Sequence, residues 1–230
     1  DAPVSSNNAA LVVQFLMDFE AENAQNLPMV QSTEKLGWLP EGDFILPDRR
    51  VVPPGAPSFP FALMPPSGME HAAKACEAAG TWEGWLQAAD IAKEFPIAMG
   101  VLYASAAAPL VKILQTNNFI VDVNGETTGG KTTSLRFAAS VWGRSNDGRP
   151  SMLHSWDMTK VWCEQTASFL NNLPLILDDT KRAKSWKTVR DVVYDFAFGS
   201  GRGRGAKDGG TRSTLEWSSV LISSGESAIT

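Results

Sequence analysis

The run Gly125-Glu126-Thr127-Thr128-Gly129-Gly130-Lys131-Thr132 matches the pattern G-x-x-x-x-G-K-[ST]. Glycines let a backbone bend sharply and aim successive N–H groups at phosphate oxygens. A helix N-terminus directly behind the loop adds the positive end of its dipole. Lys131 is expected to reach the β- and γ-phosphates, and the Thr132 hydroxyl to hold Mg²⁺. The expected nucleotide-binding set is therefore Gly125, Glu126, Thr127, Thr128, Gly129, Gly130, Lys131, Thr132 and Thr133. The competing reading is a Gly-rich strand-to-helix turn with an incidental lysine. An apolar run before the loop and an apolar-striped helix after it favour the phosphate reading.

A second acidic feature stands 47 residues beyond Lys131, where Leu173-Pro174-Leu175-Ile176-Leu177 runs into Asp178-Asp179. An acid at the C-terminal end of a buried parallel strand faces the crevice where α/β proteins bind ligands. Asp178 is the expected member of the Mg²⁺ shell, and Asp179 the expected group to orient or activate an attacking water. Further on, Val220-Leu221-Ile222 ends in Ser223-Ser224-Gly225-Glu226, which makes Ser224 and Glu226 candidates to sense a γ-phosphate or place a water. The candidate catalytic residues are thus Lys131, Asp179, Ser224 and Glu226. Between the two strand ends, Lys181 to Arg212 carries nine Lys or Arg against three acids, a net charge of +6, leaving −11 for the rest of the chain. Its Gly-rich part contains Arg202, Arg204, Lys207 and Arg212, a composition suited to gripping nucleic-acid phosphates without reading sequence. A solvated surface loop, or an arginine reaching a neighbouring subunit's nucleotide, are the other readings.

These residues need a scaffold. The chain has 230 residues, 43% of them hydrophobic and 20% charged, enough for a sizeable core. A net charge of −5 argues against wholesale coating of nucleic acid, though not against a local patch. Two cysteines, Cys76 and Cys163, exclude a disulfide scaffold and fit a reducing compartment, so a cytoplasmic location is expected. With only His71 and His154, Ser-His-Asp or zinc chemistry is improbable on composition. No signal peptide is apparent, and the chain reads as a piece of something longer. Residues 95–114 are apolar but contain two prolines, Lys112 and many small residues, so they are expected as one tightly packed helix and not as a membrane span.

Helical spacing is expected over 5–23, from a Ser67–Glu70 capping box to Gly80, over 81–93, and over 131–142, 155–171 and 185–198. Strands are expected at 118–124, buried on both faces, at 173–177 and at 217–222. Eight of the fourteen prolines fall between Gln31 and Pro66, pointing to a small irregular β-rich part in which Trp38, Phe44 and Phe59 pack. The expected organisation is a 1–66 accessory module, a 67–116 helical connector and a 117–230 α/β core with a parallel sheet flanked by helices.

Taken in order, GETTGGKTTSLRFAASVWG, LPLILDD, FGSGRGRG, LEW and LISSGE resemble domain of unknown function family 927, with LGWLP a looser match. That family is similar to AAA+ replicative helicases of the MCM-like and superfamily 3 type, found on phages, plasmids and other mobile elements. The resemblance implies that Gly125–Thr132 is Walker A, Leu173–Asp179 is Walker B, and Ser223–Glu226 is the sensor 1 strand end. It places the basic segment where such motors insert a DNA-gripping hairpin, and it puts the lid, sensor 2 and arginine finger beyond Thr230. It implies ATP and Mg²⁺ as cofactors, DNA (single-stranded or forked) as partner, a homo-oligomeric ring such as a hexamer, and no membrane. Two departures stand out: Asp179 where Glu is usual, and Ser-Ser where Ser-Thr is expected. The resulting expectation is an ATP-hydrolysing DNA helicase or translocase serving DNA replication on a mobile element. A P-loop phosphotransferase, or an ATP-binding regulator with weak hydrolysis, are the alternatives.

Overall fold

The computed structural model describes residues 8–27, 30–55, 60–126, 129–146, 148–203 and 213–229. Two compact units are present: residues 1–31 with 59–62, and residues 32–58 with 63–230. The first holds helix α1 (Ala9–Asn23), none of whose residues is buried. Its apolar stripe at Leu11, Phe15, Leu16 and Phe19 faces solvent.

The second unit carries the larger core. Ahead of it along the chain come the short strands β1 (Gln31–Thr33), β2 (Gly37–Trp38), β3 (Phe44–Leu46), β4 (Arg49–Val51) and β5 (Phe61–Leu63). Strands β2, β3 and β4 form an antiparallel sheet in which Ile45 is wholly buried, as is Leu36 just ahead of β2. The buried carboxylate of Asp43 is neutralised by Arg50 at 2.5 Å. This small sheet is anchored by backbone bonds rather than by area alone. Leu36 N–H donates to Phe169 O, Trp38 N–H to Asn172 Oδ1, and Trp38 Nε1–H to Pro109 O. Phe44 packs against the rings of Trp38 and Trp142 as expected, whereas Phe59 lies outside the described residues.

Four helices follow: α2 (Glu70–Ala75), α3 (Trp82–Ala92), α4 (Pro96–Ala106) and α5 (Ala108–Ile113). The expected capping box does not form. Met69 occupies the cap, and the Glu70 carboxylate accepts from Gly68 N–H instead. Helix α2 also stops at Ala75 rather than running to Gly80. The Ala75 carbonyl, which a longer helix would use internally, accepts the N–H of Arg144 at 2.8 Å. Residues 95–114 are two helices, not one, divided at Ala107 with Pro109 in the first turn of α5. Apart from Leu102 and Pro109, their buried side chains are small or β-branched: Ala98, Val101, Ser105, Ala108 and Val111. No helix among the described residues is long and apolar enough to cross a membrane.

The main sheet is parallel throughout, in the order β6 (Phe119–Asn124), β9 (Val220–Gly225), β8 (Leu175–Asp178), β7 (Leu153–Ser155). Helices α6 (Lys131–Ala139), α7 (Lys160–Leu170) and α8 (Trp186–Phe198) connect and flank the strands. Strand β6 was expected to be buried on both faces, but it is a sheet edge and only Val123 is buried. Strand β7 was not expected, and its last residue, Ser155, falls in the helix expected over 155–171. Trp156, fully buried, donates N–H to Asp178 O and Nε1–H to Ser223 Oγ, and so draws this segment alongside β8. The helix then starts only at Lys160, with the Thr159 hydroxyl accepting from Trp162 N–H. Strand β9 begins at Val220 and not at Trp217, because the Trp217 backbone pairs with Gly199 at the end of α8.

Helix α6 sits close to α4 because the facing residues are small: the Ser105 hydroxyl donates to Ala138 O, and Ala138 and Ala139 are fully buried. Just beyond α6, a Cβ on Gly143 would stand 2.1 Å from Ala75 O and 2.8 Å from Cys76 Cα. Both are backbone atoms and cannot rotate away. Gly143→Ala is therefore expected to cost about 2–4 kcal/mol, read as a lowered urea midpoint with unchanged m value. An unchanged midpoint would mean that the α2 end moves freely and does not pin this corner.

Candidate functional site

The Gly125–Thr132 loop joins the C-terminal end of β6 to the N-terminus of α6. Gly130 caps that helix with φ +77° and ψ 8°, a left-handed conformation, and no neighbour crowds its Cβ position. Glycine is needed there for backbone geometry, not for space. Lys131 arches back over the loop, its ammonium donating to Gly125 O at 2.8 Å and Glu126 O at 2.6 Å. The first turn of α6 offers its backbone N–H groups at the same place. Thr133 is exposed on that turn. Thr127 and Thr128 lie outside the described residues.

Asp178, at the end of β8, gathers the site. Its carboxylate accepts from Thr132 Oγ1 at 3.0 and 3.3 Å, and from the Ser224 hydroxyl at 2.5 Å. The Ser224 Oγ in turn accepts from Asp179 N–H at 3.0 Å. Three residues far apart in sequence thus meet where α6 begins and β8 and β9 end. The neighbouring Ser223, on the other face of β9, accepts from Trp156. Gly225 closes the strand end tightly, since a Cβ there would lie 2.2 Å from Thr180 Oγ1.

Asp179 has φ +59°, and its carboxylate accepts from Lys181 N–H at 3.0 Å, capping the 3₁₀ turn Thr180–Arg182. The Lys181 ammonium pairs with Glu226 at 2.5 Å. Both acidic candidates therefore flank the Thr132–Asp178–Ser224 cluster, each held by one residue, Lys181. Of the DNA-binding candidates, Arg202 is exposed, while Arg204, Lys207 and Arg212 lie outside the described residues. The base of that segment is defined: Gly201 N–H donates to Leu215 O and Trp217 N–H to Gly199 O, holding its two ends side by side.

Among the described residues, no group of three or more His, Cys, Asp or Glu is placed to hold a metal. The oxygen pair of Thr132 and Asp178 suits a hard cation that takes its remaining ligands from water and phosphate. Burial pushes the Cys163 thiol up to about 12 and raises Cys76 as well, so neither is a nucleophile. Sequence reasoning missed a cavity of about 640 Å³ beside Asp178, running along β7 and bordered by Arg136, Arg149 and Arg182. Those arginines are scattered in sequence, and only the strand order brings them together.

The sheet order and the strand-loop-helix at its switch point define a doubly flanked parallel α/β protein. The sequence profile described as Domain of unknown function (DUF927) matches residues 2–216, and the chain belongs to that family. Among solved structures, "SCCmec type IV Cch - active helicase" shares the fold with TM-score 0.67 at 17% identity, covering 99% of this chain. The chain spans 41% of that protein's length. No curated protein matches the sequence.

Two outcomes are expected. Ser224→Ala removes the acceptor of Asp179 N–H and the shorter of the two hydrogen bonds to Asp178 Oδ1 in a part-buried setting, and a loss of about 1–3 kcal/mol in urea unfolding is expected. His154, on the cavity wall, is held down to about 4 by burial and by the Arg149 charge. Its unfolded value is near 6.5, so the unfolded state binds the extra proton between those limits. Stability from this residue is complete above pH 6.5 and is lost as pH falls toward 4. A His154→Gln variant should show a flatter stability profile across that window.

Proposed function

We propose that the chain is the ATP-hydrolysing core of a DNA helicase or translocase carried by a mobile element, built on an AAA+-like P-loop sheet. The observation that carries this reading is the meeting of Thr132, Asp178 and Ser224 at one sheet end, directly behind the Gly125–Thr132 loop. Membership of the DUF927 family and the shared fold with a structure named as an active helicase support it.

In this reading Gly125 to Thr133 cradle the triphosphate with their N–H groups, and the Lys131 ammonium leaves its loop carbonyls for phosphate oxygens. Thr132 and Asp178 hold Mg²⁺, which when bound neutralises phosphate charge and polarises the phosphoryl group. Ser224, already hydrogen-bonded to Asp178, positions the reacting end of the nucleotide. Asp179 orients the attacking water once its carboxylate leaves Lys181 N–H, with Glu226 as the second acid near that water. The basic segment rising from the paired ends at Gly201 and Leu215 grips DNA phosphates through Arg202, Arg204, Lys207 and Arg212. Subunits of a ring, a hexamer in this reading, share nucleotides at their interfaces. A nucleotide-binding regulator with weak hydrolysis is a second reading, favoured by the Asp179 carboxylate being engaged in its own turn.

ATP turnover by the intact protein, with and without single-stranded DNA, tests this. Turnover should rise with DNA and fall by about 100-fold or more in Lys131→Ala. Asp179→Asn should lower turnover while leaving binding of a fluorescent ATP analogue intact. ATP binding without turnover in either condition would favour the regulator.

A further inference from the structure

The cavity beside Asp178 has a chemistry of its own. It follows β7, the edge strand opposite β6, and is bounded by Arg149 before that strand and by Arg182 in the turn after β8. Because β7 and β8 are parallel, these two arginines stand at opposite ends of the strand. The strand itself spans about 10 Å of backbone for its three residues. Both are exposed, and among the described residues neither forms an ion pair. Arg136, one turn beyond Thr132 on α6, adds a third positive charge to the wall; Asp157 and Asp178 are the carboxylates that face it.

The same wall carries aromatic rings. Trp162 meets the His154 ring edge-on at 5.0 Å, and both line the cavity. His154 Nε2 is buried without a hydrogen-bond partner. Cations spaced along a groove that also holds an indole ring suit a chain of phosphates carrying bases better than one compact anion.

We propose that this groove binds the phosphodiester backbone of single-stranded nucleic acid, with Arg149 and Arg182 on successive phosphates and Trp162 beneath a base. Asp178 lines the groove, so strand occupancy is adjacent to the proposed nucleotide site. Only that coupling rests on the motor reading; strand binding does not.

The test uses anisotropy of a fluorescein-labelled oligo-dT, without nucleotide, from low to moderate salt. The protein is compared with Arg149→Ala/Arg182→Ala, both as it stands and with Arg202, Arg204 and Lys207 also changed to Ala. The groove variant should bind about tenfold more weakly. Its log-affinity against log-salt slope should flatten by about 1.4, two phosphate contacts at roughly 0.7 each. Arg149→Lys/Arg182→Lys should keep most of the affinity, and the melting temperature should not move. Unchanged oligo-dT affinity and slope in both backgrounds would overturn the proposal. Arginine-dependent binding of tripolyphosphate with oligo-dT unaffected would also overturn it, in favour of a free phosphorylated ligand. Should the motor reading fail instead, ATP turnover would lack any response to DNA while arginine-dependent oligo-dT binding persisted.

Discussion

The Asp178 carboxylate is the point on which the site's geometry depends. A carboxylate at a strand end needs hydrogen-bond donors, and here they come from α6 through Thr132 and from β9 through Ser224. The pairing of Leu177 with Ser223 sets this arrangement, because it leaves the next residues, Asp178 and Ser224, side by side. A slip of one residue in β9 would exchange the faces of Ser223 and Ser224. Depending on the direction of the slip, Gly225 would replace the donor to Asp178 or Ile222 the acceptor of Trp156. Two buried hydroxyls on opposite faces of one strand therefore specify register as strictly as the surrounding Val, Leu and Ile.

Placing α6 at the right depth is a matter of small residues. Ala138 and Ala139 have no bulk to hold α4 away, and Ser105 uses its hydroxyl on the α6 backbone instead of projecting a longer chain. The same economy appears where Gly143 passes Ala75. On the far side, Asn171 and Asn172 tie the β2 segment to the stretch leading into β8: Asn171 Nδ2 donates to Leu36 O, and Asn172 bridges Trp38 N–H and Ser218 O. A Cβ on Gly37 would lie 2.7 Å from Asn172 Oδ1, so this join is also a close backbone approach. The small sheet thus braces the strand that presents Asp178.

How much of this was legible follows from what each feature depends on. The Gly125–Thr132 loop, the strand ending in Asp178 and the Ser224 strand end are local patterns, and their strands and helices lie close to where periodicity puts them. Ser224 meeting Asp178 was readable only as proximity of two strand ends; the hydrogen bonds belong to the register. Strand β7 was missed because three residues, Leu153 to Ser155, are too short to show a period, and it is Trp156 that holds them in line. The breadth of β6 burial was misjudged because an apolar run says nothing about edge or centre. The capping box at Ser67 failed because Glu70 found a nearer donor, Gly68 N–H. The arginine groove needed the strand order and had no local signal at all.

The Asp at position 179 shows how a short side chain decides what a site can do. An Asp carboxylate reaches the N–H two residues ahead in its own chain, which is the geometry of Asp179 to Lys181. A Glu, one methylene longer, fits that turn less well and projects further from the strand end. Asp179 thereby stabilises the 3₁₀ turn and frees the Lys181 ammonium to hold Glu226. A cap of this kind is worth about 0.5–2 kcal/mol, little enough for a bound nucleotide and its cation to offset. In the proposed motor the two acids are therefore coupled through one residue: release of Asp179 toward water loosens the turn that carries Lys181, and Lys181 sets how firmly Glu226 is held. In that proposed reading, the shorter acid would make hydrolysis depend on a local rearrangement that a Glu would not require.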